Sequence, residues 1–489
     1  MRVKQTANYK WLVFLTVGLG TFMAVVDHGS INMAMPTIAA EFKTDLSRVQ
    51  WISLGYALSV SIFLLPAGYL ADRFGRKETY VVGFVIFSTA AGLAGFGNGV
   101  PMVIGLRAVS AVGSAMIMAN GMAILTTVFP RTERGKVLGA HMTIVGAGSM
   151  FGPVLGGILV GVWGWRSVFF LNPIIGLFAL ATACLVLDRL QLSPGNSKRA
   201  GGAYDWAGAI FSALTLLTFL LTITFGNSLG WTSFIIMTGF VVSLALSVGF
   251  LLSERRAAVP ILDLTLFTNR VFSMGILAGF IAFLSTASLW FLLPFYLQNV
   301  RGIEPAQGGL VLVSSAGAMA FMGAIAGRLS DRFGWKPFNI AGPILTGSGL
   351  LAISRVDGSS HLGLLIVGLI LVGLGNGMFH STNHSSIMGA VETSSYGIVS
   401  AFVNLNRQTA STIGLAMAAA IVVGTMNGAG VAPDLTMVTG ITSEVSLAFT
   451  KGLGTAYSLA AGLMGIVVVV SMLKPQSNKE TSMQKEGNA

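Results

Sequence analysis

The chain has little charge and almost no cysteine. Asp, Glu, Lys and Arg together make up 10% of its 489 residues, against about 25% in soluble globular proteins, too few to cover a water-facing surface. Its one cysteine, Cys184, excludes an intramolecular disulfide. No Walker-type phosphate-binding loop appears, which leaves ATP-driven pumping unsupported. The apolar segments do not alternate with period two, as the strands of a membrane barrel would. A cleavable signal peptide is also not expected: the first apolar segment is too long and lacks a small-residue cleavage pattern, so it should remain as the first helix.

Hydrophobic residues fill the chain instead, at 54% with a mean hydropathy of +0.78. Runs long enough to cross about 30 Å of hydrocarbon recur from end to end. The expected fold is therefore an all-α polytopic membrane protein. Fourteen spans are read, starting near Trp11, Val49, Thr79, Met102, Gly135, Val168, Trp206, Thr232, Val271, Ala306, Pro337, Leu362, Tyr396 and Leu453. The formal charge of +11 invites a nucleic-acid reading, but the placement of the charges rejects it. With fourteen spans, 21 of the 29 Lys and Arg fall on the side of both termini, six fall opposite, and Arg107 and Arg407 lie inside spans. The positive-inside rule then puts both ends in the cytoplasm of a cell (inner) membrane protein.

One short stretch is written twice. Gly68-Tyr69-Leu70-Ala71-Asp72-Arg73-Phe74-Gly75-Arg76-Lys77 ends one apolar run, and Gly327-Arg328-Leu329-Ser330-Asp331-Arg332-Phe333-Gly334-Trp335-Lys336 ends another. Matched tight loops in a duplicated bundle are the plan of a secondary transporter. The copies start 259 residues apart, which at about 32 residues per helix and loop is roughly eight helices. The plan is therefore six helices over 1–190, two additional helices with linkers over 191–265, and six more with a short tail over 266–489.

An ionised side chain at mid-membrane costs about 2.5–3.5 kcal/mol, so it must be paired or face water. Asp27 in the first span and Arg107 in the fourth are such charges. A neighbouring arginine favours the charged carboxylate and burial favours the protonated one, so Asp27 is a candidate proton-coupling site; a static ion pair joining two helices is the alternative. His28 adjoins it, with an imidazole that titrates near neutral pH when free, and Asn32 lies near the same helical face. His380 and His384 are four apart on the twelfth span, and a polar cavity lining is favoured over a metal site because no third ligand is evident. Arg407 and Gln408, with Asn404, place a charge in the thirteenth span. Trp290, Tyr296 and Gln298 offer aromatic faces and an amide to a planar ligand, or anchor their helix end. Gly148, Gly152 and Gly156 recur at every fourth position, with Pro153 and Gly157 beside them, and make a stripe for close helix packing. No nucleophile–base pair is found, so no enzymatic activity is expected.

These residues resemble the major facilitator superfamily, and within it the fourteen-helix drug:proton antiporters. Gly68–Lys77 resembles the family signature between helices two and three, and Val26-Asp27-His28-Gly29-Ser30-Ile31-Asn32-Met33-Ala34-Met35-Pro36 the first-helix signature of that branch. Gly148–Gly157 resembles the helix-five antiporter motif, and Arg107 the basic residue of helix four. Four positions depart: Gly29 and Ser30 replace the usual Thr and aliphatic residue, and Ser110 and Ala111 the usual Gln and Gly.

The resemblance implies two six-helix bundles and alternating access. It also implies a cytoplasmic latch built on Gly68, Asp72, Arg73, Gly75 and Arg76, with Asp331 and Arg332 in the second copy. The expected activity is proton-coupled export of small amphiphilic molecules, with uptake of a small planar nutrient or vitamin as the alternative. The partners expected are substrate, protons and lipid, without nucleic acid or cofactor, acting on a monomer. Leu54 stands where a helix-two acid is often found, and no interior Asp or Glu appears in the last six spans, so a neutral or anionic amphiphile is favoured over a dication.

Overall fold

The computed structural model describes residues 9–129, 134–187, 206–230, 232–256, 264–391, 396–431 and 444–475. Among these, fourteen helices have eighteen residues or more. They are α1 (Tyr9–Glu41), α2 (Trp51–Phe74), α3 (Arg76–Ala94), α4 (Val100–Val128), α5 (Arg134–Trp163), α6 (Arg166–Val186) and α7 (Trp206–Leu229). The others are α8 (Phe234–Arg256), α9 (Arg270–Phe295), α10 (Pro305–Phe333), α11 (Lys336–Ile353), α12 (Leu362–Gly389), α13 (Tyr396–Gly428) and α14 (Glu444–Leu473). Nine helices within the described residues are long and apolar enough to cross a membrane, and three shorter apolar stretches accompany them. No strand occurs among the described residues.

Thirteen helices begin within three residues of their sequence-predicted starts. The exception is α14, which already runs at Glu444, nine residues before Leu453. Hydropathy falls at Glu444 and Lys451, yet Ser446, Ala448, Phe449 and Thr450 are buried along that added stretch. Packing on one face holds a helix where composition alone would end it. Past Pro294, residues Tyr296–Val300 form a π-helical turn, closed by the Arg301 amide on the Tyr296 carbonyl at 3.0 Å.

The chain divides into two compact units. The first gathers α1–α8 with Ser400–Thr409 of α13, and the second holds α9–α12, α14 and the rest of α13. The additional pair α7–α8 clusters with the first unit, where α7 packs on α2 and Trp51 meets Phe225 at 5.3 Å. Inside the first unit α2 pairs with α4, α3 with α4 and α6, and α1 with α6. Inside the second, the same scheme returns as α10 with α12, α11 with α12 and α14, and α9 with α14. The duplication visible in the loops thus extends to helix pairing.

Both loop copies turn on a glycine at positive φ, Gly75 at 106° and Gly334 at 77°, a conformation L side chains avoid. In the first copy this lets α3 start immediately after α2. Arg76 then donates to the Ala123 carbonyl at 2.9 Å and to Thr127 Oγ1, fastening α3 to the end of α4. Lys77 Nζ donates to the carbonyls of Cys184 and Leu187 at 3.0 and 2.6 Å, satisfying the last turn of α6.

Candidate functional site

Asp27 lies well inside α1, and each oxygen of its carboxylate accepts a hydrogen bond. Arg107 Nη1 of α4 donates to Oδ2 at 2.6 Å, with both side chains 0% exposed. Asn172 Nδ2 of α6 donates to Oδ1 at 2.7 Å. The Arg107 guanidinium carbon sits 4.0 Å from the centroid of the Tyr56 ring on α2, a cation–π contact. Tyr56 in turn faces the His28 ring, with centroids 6.2 Å apart and planes 29° from parallel. Four helices therefore converge on one acid. Removing one partner of such a buried pair typically costs about 3–5 kcal/mol, because the other charge is left uncompensated.

The helix carrying Asp27 is held at very close range. Ser30 Oγ donates to the Gly152 carbonyl of α5 at 2.8 Å. A Cβ on Gly152 would stand 3.0 Å from Gly29 Cα, and one on Gly156 only 2.5 Å from Ser30 Cα. A Cβ on Gly148 would meet the Val25 side chain at 3.0 Å. The predicted glycine stripe is thus a backbone-to-backbone seam between α5 and α1, beside the acid. Gly29 and Ser30, the two departures in the first-helix signature, are the residues that meet it. A β-carbon at position 29 would come within 3.0 Å of the Pro153 ring.

Residues 17–415 match the family model of the Major Facilitator Superfamily. The chain belongs to that superfamily. It is 33% identical over 408 residues to the riboflavin transporter RibZ of Clostridioides difficile (strain 630), covering 83% of this chain and 87% of the relative. It is 30% identical to the tetracenomycin C resistance and export protein of Streptomyces glaucescens, covering 75% and 67%. It is 29% identical to the methylenomycin A resistance protein of Bacillus subtilis (strain 168), covering 92% and 93%. Among solved structures it resembles a bacterial homologue of the human lysosomal transporter Spinster in an inward-facing, unoccupied conformation. That match has a TM-score of 0.69 at 15% identity and covers 96% and 97% of the two chains, a likeness of fold. The chain is thus a multi-pass membrane transporter of small molecules and not an enzyme.

In this major facilitator protein the remaining site residues divide by unit. In the first, Asn32 Oδ1 accepts from Ser53 Oγ at 3.0 Å, pinning α1 to α2. Arg407 and the buried Gln408 fall in the α13 segment that clusters with this unit, and the Arg407 charge acts on His28 and Tyr56. Asn404, in the same segment, is half-buried.

In the second unit, the His380 ring lies flat on Phe283, 4.2 Å between centroids and 16° apart, with Phe379 edge-on at 5.4 Å. Tyr296 donates its hydroxyl to the Asp357 carbonyl at 2.7 Å, tying the π-helical turn to the loop before α12. Trp290, Gln298 and His384 are half-buried. The backbone puts Asp72 and Arg73 at the end of α2, and Asp331 and Arg332 at the end of α10. The side chains of these four lie outside the described set.

Three polar residues escaped the sequence reading. Asn172 and Tyr56 complete the Asp27 cluster, and His141 on α5 pairs its Nε2 with Thr21 Oγ1 at 2.9 Å, buried. None bears a formal charge or recurs with a period, so only intramembrane polarity marked them.

Proposed function

We propose that this transporter is a proton-coupled exporter of small amphiphilic molecules working by alternating access, with Asp27 as the proton carrier. The observation that carries the reading is the buried Asp27–Arg107 pair. Protonation of Asp27 neutralises one partner and leaves the Arg107 charge uncompensated, so proton uptake changes which arrangement of the surrounding helices is stable. The glycine seam supports the same reading, because a helix without side chains at its crossing can shift against its neighbour at low steric cost. Relatives whose names specify antibiotic resistance and export point to export. The similarity to a riboflavin transporter favours the second reading, uptake of a small planar nutrient.

Flux in proteoliposomes under a pH gradient imposed in each direction separates the two. Export coupled to protons gives substrate accumulation opposite to proton flow, abolished by an uncoupler. Substrate moving with the protons, or indifferent to them, would transfer the chain to the permease reading.

Both termini are placed in the cytoplasm on the charge asymmetry, and the transporter is taken to act as a monomer. The first loop copy is assigned as a cytoplasmic latch, with Asp72 as its anion. Asp72→Asn should slow transport several-fold while equilibrium substrate binding persists. Loss of binding with intact folding would count against the latch.

A further inference from the structure

Arg107 has more donors than Asp27 uses. Its Nη1 is spent on the carboxylate, while Nε and Nη2, both buried, have no hydrogen-bond partner among the described residues. Those two atoms form one edge of the guanidinium, a fork of parallel N–H groups that matches two acceptor atoms held side by side in a plane. Buried donors of this kind are costly unless something accepts from them. The neighbouring side chain on α4 does not: Ser110, one turn further on the same face, turns its hydroxyl back to the Arg107 carbonyl at 2.8 Å. One face of the guanidinium is covered by Tyr56. Nδ1 of His28 is a further buried polar atom of the cluster without a partner among the described residues. The charges acting on His28 are Asp27, Arg107 and Arg407, one anion against two cations.

We propose that Arg107 divides its guanidinium between coupling and recognition. Nη1 holds Asp27, and the Nε–Nη2 edge receives the paired oxygens of a planar substrate group, a carboxylate on an aromatic body. The bound anion balances the second cation, and the rings of Tyr56 and His28 lie alongside. This rests on the Asp27 cluster being the transport site. It adds the substrate class, an aromatic monoanion in place of the lipophilic cation that a lone membrane carboxylate would select.

The test is calorimetric binding to the purified full-length protein in nanodiscs, with no gradient present. The probes are 2-naphthoate, its neutral isostere 2-naphthamide, and 2-naphthylmethylammonium. A charge-assisted bond to the fork predicts that naphthoate binds about tenfold or more tightly than naphthamide, with the ammonium weakest. Ser110→Gln adds an amide acceptor one turn along α4 from Arg107 to compete for the fork, and should lower naphthoate affinity about tenfold with naphthamide unchanged, whereas Ser110→Ala leaves both unchanged. Thermal unfolding checks that both variants fold. Equal affinity for acid and amide, a preference untouched by Ser110→Gln, or no naphthoate binding would overturn the proposal and leave the fork to water. Because binding is read at equilibrium, carboxylate selectivity with failed antiport overturns the direction of coupling alone, and coupled flux without selectivity overturns this inference alone.

Discussion

Asp27→Asn is expected to abolish transport driven by a pH gradient while leaving a folded, less stable protein. Asparagine keeps the shape of the side chain but cannot take up the proton, so the coupling step has no carrier. Arg107, with its side chain 0% exposed, then stands as a buried cation without its anion, a destabilisation of about 3–5 kcal/mol. Flux in proteoliposomes and thermal unfolding read the two effects separately. The double variant Asp27→Asn/Arg107→Leu removes both charges and should recover much of the lost stability, since replacing a whole buried pair by apolar groups is often neutral. It should recover none of the coupling. Proton-driven flux at the wild-type rate in the single variant would remove Asp27 from the mechanism and reduce the pair to a structural tie.

The second large effect belongs to the seam. Gly156→Leu should eliminate most transport and lower the unfolding temperature by several degrees. Even the first added atom would sit 2.5 Å from Ser30 Cα and 2.6 Å from the Ser30 carbonyl oxygen. Both are backbone atoms, so no side chain can rotate away and α1 must move as a whole. Overpacking of this kind typically costs about 1–3 kcal/mol, and the displaced helix is the one that carries Asp27. Gly465→Ala on α14 provides the control: nothing lies within 4 Å of its added carbon. It should be neutral or stabilising by about 0.5–1 kcal/mol, the usual gain from replacing a helical glycine. Full activity in Gly156→Leu would mean that the close crossing is not needed for transport.

Much of this was legible in the amino-acid sequence, for physical reasons that also set its limits. A charge inside hydrocarbon stands out, so Asp27 and Arg107 could be singled out, and each lies in the predicted span. Glycines four apart declare a packing face, but which helix packs there is tertiary information, and the partner proved to be α1. Asn172 was invisible because a neutral amide beside a proline, Pro173, reads as ordinary helix. Tyr56 read as one more apolar residue in its span. Tyr296 stands in the sequence as a cavity aromatic or an anchor of its helix end, and only the structure shows its hydroxyl donating to the Asp357 carbonyl. The early start of α14 was hidden by Glu444 and Lys451, which lower hydropathy without breaking a helix.

One detail of the Asp27 cluster bears on how efficiently a gradient is used. Each carboxylate oxygen already accepts one strong bond, from Arg107 on one side and Asn172 on the other. A proton arriving along a stray file of water would neutralise Asp27 and leave the buried Arg107 charge uncompensated. If Asp27 carries the proton, the resting transporter is insulated against slip. On that reading protons cross only in step with a rearrangement that compensates Arg107, and a cell would lose little of its membrane potential by keeping many idle copies of this protein in place.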